Sequence, residues 1–174
     1  MSHSKTELRP GLIHYLFTFL VSTLLWLLLV GTLDPQEILL GLAVSLIVTL
    51  IAAPHLGIFT GLRFTAQAPL ALIRYFGHFL VALIRANLDV ARRVLAPSLP
   101  IRPAVIEIET ELQSALGRLL LANSITLTPG TLVVDVIDKR LFVHWIDCPP
   151  KTDLVAATRI IASGFERHIK GFLK

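Results

Sequence analysis

Apolar positions follow three different patterns along this chain. Between Arg9 and Asp34 there are 24 residues without Asp, Glu, Lys or Arg, and Leu12 to Val30 is almost continuously apolar. At about 1.5 Å per helical residue, such a run crosses a hydrocarbon core of roughly 30 Å. A second apolar run, Ile38 to Ala53, is stopped by Pro54, with its end expected at the interface near His55 to Phe59. The connection Thr32 to Glu37 allows only a tight hairpin. A cleaved leader fits poorly, because the first run exceeds an h-region of about 7–15 residues and the second follows at once.

The pattern then becomes helical rather than continuous. Ala68 to Ala96 reads as one long helix, opened near Pro69 and closed before Pro97. Projected as a helix, Gln67, Arg74, His78, Arg85, Asp89 and Arg92 fall within about 60° of one another, and Leu70, Leu72, Ile73, Phe76, Phe79, Leu80, Leu83 and Ile84 cover most of the rest. A polar stripe this narrow implies largely apolar surroundings. The helix either lies along a membrane surface or crosses as a third span. A third span would carry Arg92, Arg93 and the whole tail outside, against the charge rule, so the interfacial placement is the expectation.

After Pro97 to Pro103, a stiff linker, the pattern is that of a small α/β domain. Val105, Ile106 and Ile108 with Glu107 and Glu109 indicate a short strand. Thr110 followed by Gln113 matches a capping box, predicting a helix from there to about Asn123. Ser124 to Leu132 is expected to be extended, with a type II turn at Pro129-Gly130. Strands Thr131–Ile137 and Leu141–Ile146 should form a hairpin across Asp138-Lys139-Arg140, and Thr152 to Phe172 a closing helix. The order β-α-β-β-α is that of a truncated ferredoxin-like layer.

The expected fold is thus a membrane α-helical hairpin of two transmembrane helices, a long amphipathic helix and a small α/β cytoplasmic domain. In residues these are 1–62 (spans about 12–31 and 38–58), 63–96, a linker 97–103, and 104–174. Composition agrees: 54% of the 174 residues are hydrophobic, 16% are charged, and the mean hydropathy is +0.73, outside the range of soluble domains.

Charge orients the chain. Residues 63–102 hold six arginines against one acid, Asp89, whereas the predicted hairpin turn carries only Asp34 and Glu37. With Lys5 and Arg9 ahead of the first span, the positive-inside rule places both termini in the cytoplasm. The basic excess beside the apolar region suits a membrane surface, and no nucleic-acid recognition motif is present.

Candidate chemistry is sparse. The single Cys148 has no CxxC or Cys/His partner spacing, so no zinc site or disulfide is supported. Glu107, Glu109 and Glu111 read as a solvated strand edge, and His144 has no nucleophile or carboxylate at motif spacing. Neither span holds Asp, Glu or Lys to pass a proton or bind a cation. No cofactor and no enzymatic activity are expected.

Two stretches, Ala86-Asn87-Leu88-Asp89-Val90-Ala91-Arg92-Arg93-Val94-Leu95 and Ala122-Asn123-Ser124-Ile125-Thr126-Leu127-Thr128-Pro129-Gly130-Thr131-Leu132, resemble the signatures of the E subunit of the Mrp (Mnh, Pha) multisubunit cation/proton antiporters. The likeness also takes in the early hairpin, the arginine-bearing helix and the Pro-x-x-Pro-Ile-Arg-Pro linker. It implies an accessory or assembly subunit of a complex that exchanges Na+ or K+ for protons, with translocation left to large subunits. The expected partners are other antiporter subunits and membrane lipids. The expected interface comprises Arg74, His78, Arg85, Asn87, Asp89, Arg92, Thr126, Thr128, Pro129, Gly130 and Thr131. The competing reading is a stand-alone membrane-anchored module whose tail recruits a soluble or lipid partner.

Overall fold

The structure is a computed structural model that describes residues 11–98 and 100–174; Lys5, Arg9 and Leu99 lie outside the described residues. It divides into two compact units, one ending at Thr60 and the other beginning at Gly61.

The first unit holds helices α1 (Leu12–Val30) and α2 (Pro35–Ala52), the latter continued by a 3-10 segment, Ala53–Gly61. Gly31 ends α1 in the left-handed conformation, φ 72°, its N–H donating to the Leu27 carbonyl. Pro35 opens α2 three residues earlier than the apolar run indicates, because its fixed φ and missing N–H suit a first turn. At the other end Pro54 cannot donate into an α-helical ladder, and the chain tightens to 3-10 geometry. The two helices run antiparallel, with Trp26 against Gly41 and Phe17 edge-on to Phe59 at 6.2 Å. A Cβ at Gly41 would lie 2.5 Å from the indole Cδ1, so the close approach requires glycine. Gly41, Ser45 and Thr49 form the buried small-residue face of α2, the packing mode of helices in lipid. Hydroxyls of Thr18, Thr23 and Thr49 donate to carbonyls one turn back, which satisfies them without a partner helix. α1 buries none of its residues here and leaves Leu12, Leu16, Leu20, Leu24 and Leu28 outward.

The second unit joins helix α3 (Ala68–Leu95) to an α/β body made of β1 (Ala104–Glu109), α4 (Ala115–Leu127), β2 (Thr131–Ile137), β3 (Arg140–Trp145), α5 (Leu154–Ile161) and α6 (Ser163–Ile169). The sheet has order β1-β3-β2 with both pairings antiparallel, and Ile106 and Val133 flank Val143. Ile108, Leu121, Ile125, Leu141, Val143, Ile169 and Leu173 form the floor of the core. α3 inserts Tyr75, whose hydroxyl lies 2.8 Å from the Ser124 Oγ and whose ring meets Phe172 at 5.7 Å.

Four local expectations need correction. The Thr110 capping box does not form: its hydroxyl donates to Glu166, and Ser114 caps α4 by accepting from the Gly117 N–H. Ser124 to Leu127 is helical rather than extended, because Ser124 and Thr128 hydroxyls bond carbonyls four residues back and Tyr75 fixes Ser124. The hairpin turn is the pair Asp138-Lys139, with Asp138 at φ 55°, and Arg140 already pairs with Ile137; Asp tolerates that conformation. The closing helix is not continuous from Thr152: it starts at Leu154, capped by Asp153, and is broken at Ala162.

Candidate docking site

α3 presents three faces. Ala71, Tyr75, His78, Phe79 and Ala82 turn toward the α/β body. On the opposite side Leu70, Ile73, Phe76, Leu80, Ile84 and Leu88 are exposed. The arginine stripe runs down one flank between them. His78 stacks on His168 of α6 at 4.8 Å, with 13° between planes, and meets Phe165 edge-on at 5.2 Å. Gly164 permits this: a Cβ there would lie 2.8 Å from the His78 Nε2. Burial first, then His168, Arg167 and Arg85, holds the His78 imidazole below its ordinary pKa. The unfolded chain takes up a proton near pH 6.5 while folded His78 resists it, so stability falls as pH drops through that value and levels off once the folded group is also protonated. Thermal unfolding of the full chain in detergent should therefore show a lower midpoint at about pH 5.5 than at about 7.5, and His78→Asn should flatten part of that slope.

At the C-terminal end of α3, Arg93 donates to Asp89 (2.7 Å), to the Pro100 carbonyl (3.0 Å) and to Asp147, and Arg102 reaches Asp147 at 3.1 Å. These two arginines, Arg93 before Arg102, hold the Asp147 carboxyl below the usual carboxylate range. Backbone bonds from Arg102 N–H to Ile146 and from Cys148 N–H to Arg102 pin the proline segment to the end of β3. The neighbouring turn has Gly130 at φ 97° and the Thr131 N–H 3.4 Å from the Thr128 carbonyl. Thr131 and Thr128 hydroxyls donate to backbone carbonyls, and the Thr126 hydroxyl accepts from the Val133 N–H, so they build the turn.

A cleft of about 390 Å³ opens between α3, this turn and the α5–α6 junction. It gathers His78, Arg85, Asp89, Thr128, Pro129, Gly130 and Thr131 from the sequence-derived interface. Arg74, Asn87, Arg92 and Thr126 are not among its lining residues, and Asn87 donates to the Leu83 carbonyl on its own helix. Arg93, Trp145, Asp147 and Arg159 line the cleft without having been singled out. Only Arg93 carried a sequence signal, four residues after Asp89. A second carboxylate was also missed: Glu166, buried on α6, accepts from the Thr110 hydroxyl, the Glu111 N–H and Lys170.

Residues 19–171 match the family described as Na+/H+ ion antiporter subunit (MNHE). The chain belongs to this family. Curated relatives agree. The E1 subunit of the Na+/H+ antiporter of Staphylococcus saprophyticus is 33% identical over 153 residues, 87% of this chain and 91% of that protein. The E subunit of the Na+/H+ antiporter of Alkalihalophilus pseudofirmus is 32% identical over 152 residues, 86% of this chain and 92% of that protein. Among solved structures, a chain of the membrane-bound sulfane sulfur reductase, an archaeal respiratory membrane complex, matches with TM-score 0.76 and 40% identity over 90% of this chain and 97% of its own. The resemblance read from the two sequence signatures is borne out. The protein is a multi-pass membrane protein and an accessory subunit of a multisubunit cation/proton antiporter, with the other subunits of that assembly as its partners.

Proposed function

We propose that this E-type subunit is a non-catalytic docking piece: α1 and α2 cross the membrane, α3 lies along the cytoplasmic surface, and the part of its arginine flank outside the cleft, Arg74 and Arg92, contacts neighbouring subunits. By length and composition three helices, α3 included, are able to cross a membrane. The observation against α3 as a span is the extent of its packing. Polar and backbone groups of the α/β body meet it from Ala71, close to Gly171, through Tyr75 and His78 to Arg93 at Asp147. That stretch of roughly 22 residues rises about 33 Å, as much as the hydrocarbon core itself. A spanning α3 would draw Asp147, Arg102 and His168 into lipid at a cost of several kcal/mol each.

In this arrangement residues 1–62 are the membrane hairpin, and 63–96, 97–103 and 104–174 are helix, linker and tail of one cytoplasmic body, with both termini on that side. The strand order β1-β3-β2 with a β-α-β-β-α sequence supports a ferredoxin-like tail lacking its fourth strand. Docking also fits the chemistry: the cleft holds ion pairs and turn-building hydroxyls rather than a nucleophile paired with a base.

Arg74 and Arg92 are exposed, lie on the polar flank and are outside the cleft. Reversing both, Arg74→Glu with Arg92→Glu, should lower co-purification of the other antiporter subunits about tenfold, since like charge at an interface rim costs this much or more. Unchanged co-purification together with unchanged cation/proton exchange would remove the docking reading.

A further inference from the structure

The charges around the cleft are unequal once its ion pairs are assigned. Asp89 is engaged by Arg93, and Asp147 by Arg93 and Arg102. Among the described residues the two other guanidinium groups of the cleft, those of Arg85 on α3 and Arg159 on α5, have no carboxylate within ion-pair distance, and both residues are exposed. The cleft is also lined by apolar side chains, with Ile125 and Phe165 buried at its floor, Trp145 half-buried, and Val81 and Ile160 exposed at its edge. Val81 continues outward to Leu88 and Ile84, which are 53% and 59% exposed and belong to the side of α3 turned away from the body. One mouth therefore combines two uncompensated cations, an apolar floor and an apolar exit. After burial and His168, Arg167 and Arg85 also lower the His78 pKa, as expected beside surplus positive potential.

We propose that this cleft binds the phosphate of an anionic phospholipid between Arg85 and Arg159, with the acyl chains leaving along Val81, Leu88 and Ile84. The inference rests on the placement of α3 at the membrane surface, which sets the mouth at headgroup depth. Two guanidinium groups suit a phosphodiester oxygen pair, and basic groups beside an anionic leaflet attract its headgroups. An acidic segment of a neighbouring subunit would satisfy the same charges but would leave the apolar exit unused, so the lipid is favoured.

The test is native mass spectrometry of the intact complex extracted in mild detergent and re-supplied with phosphatidylglycerol, phosphatidylcholine or inorganic phosphate. The wild-type complex should retain phosphatidylglycerol over phosphatidylcholine, and Arg85→Gln with Arg159→Gln should cut that retention about tenfold while the subunits stay together. Arg63→Gln with Lys139→Gln removes the same charge outside the cleft and should change it less than about twofold. Equal loss in both double variants, equal retention of the two lipids, or displacement of phosphatidylglycerol by inorganic phosphate would overturn the lipid site. Loss of partner subunits from Arg85→Gln with Arg159→Gln at unchanged lipid content would overturn it too, in favour of a protein contact. A failed docking reading is distinguished by the Arg74 and Arg92 reversal, which leaves the cleft intact. A melting curve for each variant confirms that the tail remains folded.

Discussion

Replacing Tyr75 by alanine should destabilise the second unit by about 3–5 kcal/mol, the range for deleting a large buried aromatic side chain. Tyr75 is only 5% exposed, and its ring meets Phe76, Phe79 and Phe172 at 5.3, 6.4 and 5.7 Å. It is the one buried side chain that α3 contributes to the core among the described residues, so its removal both opens a cavity and releases the helix from the body. Tyr75→Phe keeps the ring and loses only the hydroxyl contact with Ser124. Since Ser124 still donates to the Leu120 carbonyl, this variant should cost about 1 kcal/mol. Denaturant unfolding followed by tryptophan fluorescence of the full chain in detergent measures both. Equal costs for the two variants would mean that the ring does not hold α3.

Glu166→Ala should cost about 2–4 kcal/mol. The residue is 6% exposed, and its carboxylate accepts from the Glu111 N–H at 2.9 Å, the Thr110 hydroxyl at 3.2 Å and the Lys170 ammonium at 3.0 Å. These bonds hold the segment between β1 and α4 that replaces the expected helical turn. Alanine leaves a buried hydroxyl and an N–H without acceptors. Lys170 is partly exposed and also contacts Glu111, so its charge finds water and adds little to the penalty. Glu166→Gln keeps one acceptor oxygen and should lose roughly half as much. The same unfolding assay, with amide exchange at Glu111, checks the result; a cost below about 0.5 kcal/mol for the alanine variant would contradict this role.

The legible parts of the fold are those where one local rule dominates. Leu12 to Val30 is readable because lipid demands apolar residues on every side of a span. α3 is readable because Pro69 and Pro97 bound it and its polar positions align. The misread parts are governed by distant residues. Nothing local shows that the Thr110 hydroxyl is taken by Glu166, 56 positions away, so the Thr110–Gln113 pattern imitates a cap. Ser124 to Leu127 looks extended because Ile and Thr favour strands, yet Ser and Thr hydroxyls bonded one turn back and the Tyr75 contact keep it helical.

The candidate site divides in the same way. The arginine flank follows from periodicity, and the Pro-Gly turn from its own dipeptide. The fold brings the two together through Gly130, whose added Cβ would touch Val90 of α3. Asp147 and Arg159 line the cleft from separate segments, Arg102 meets it only through Asp147, and the three carry no shared spacing, so their convergence is a tertiary fact only.

The proposed arrangement, a hairpin in the membrane with everything after it on the cytoplasmic side, makes Cys148, the only cysteine in the sequence, a direct reporter of topology. A membrane-impermeant maleimide should label Cys148 in inside-out vesicles and in detergent but not in intact cells. Leu33→Cys in a Cys148→Ser background, at the turn between α1 and α2, should show the reverse. Labelling of Cys148 from outside intact cells, at the rate seen in detergent, would contradict this arrangement.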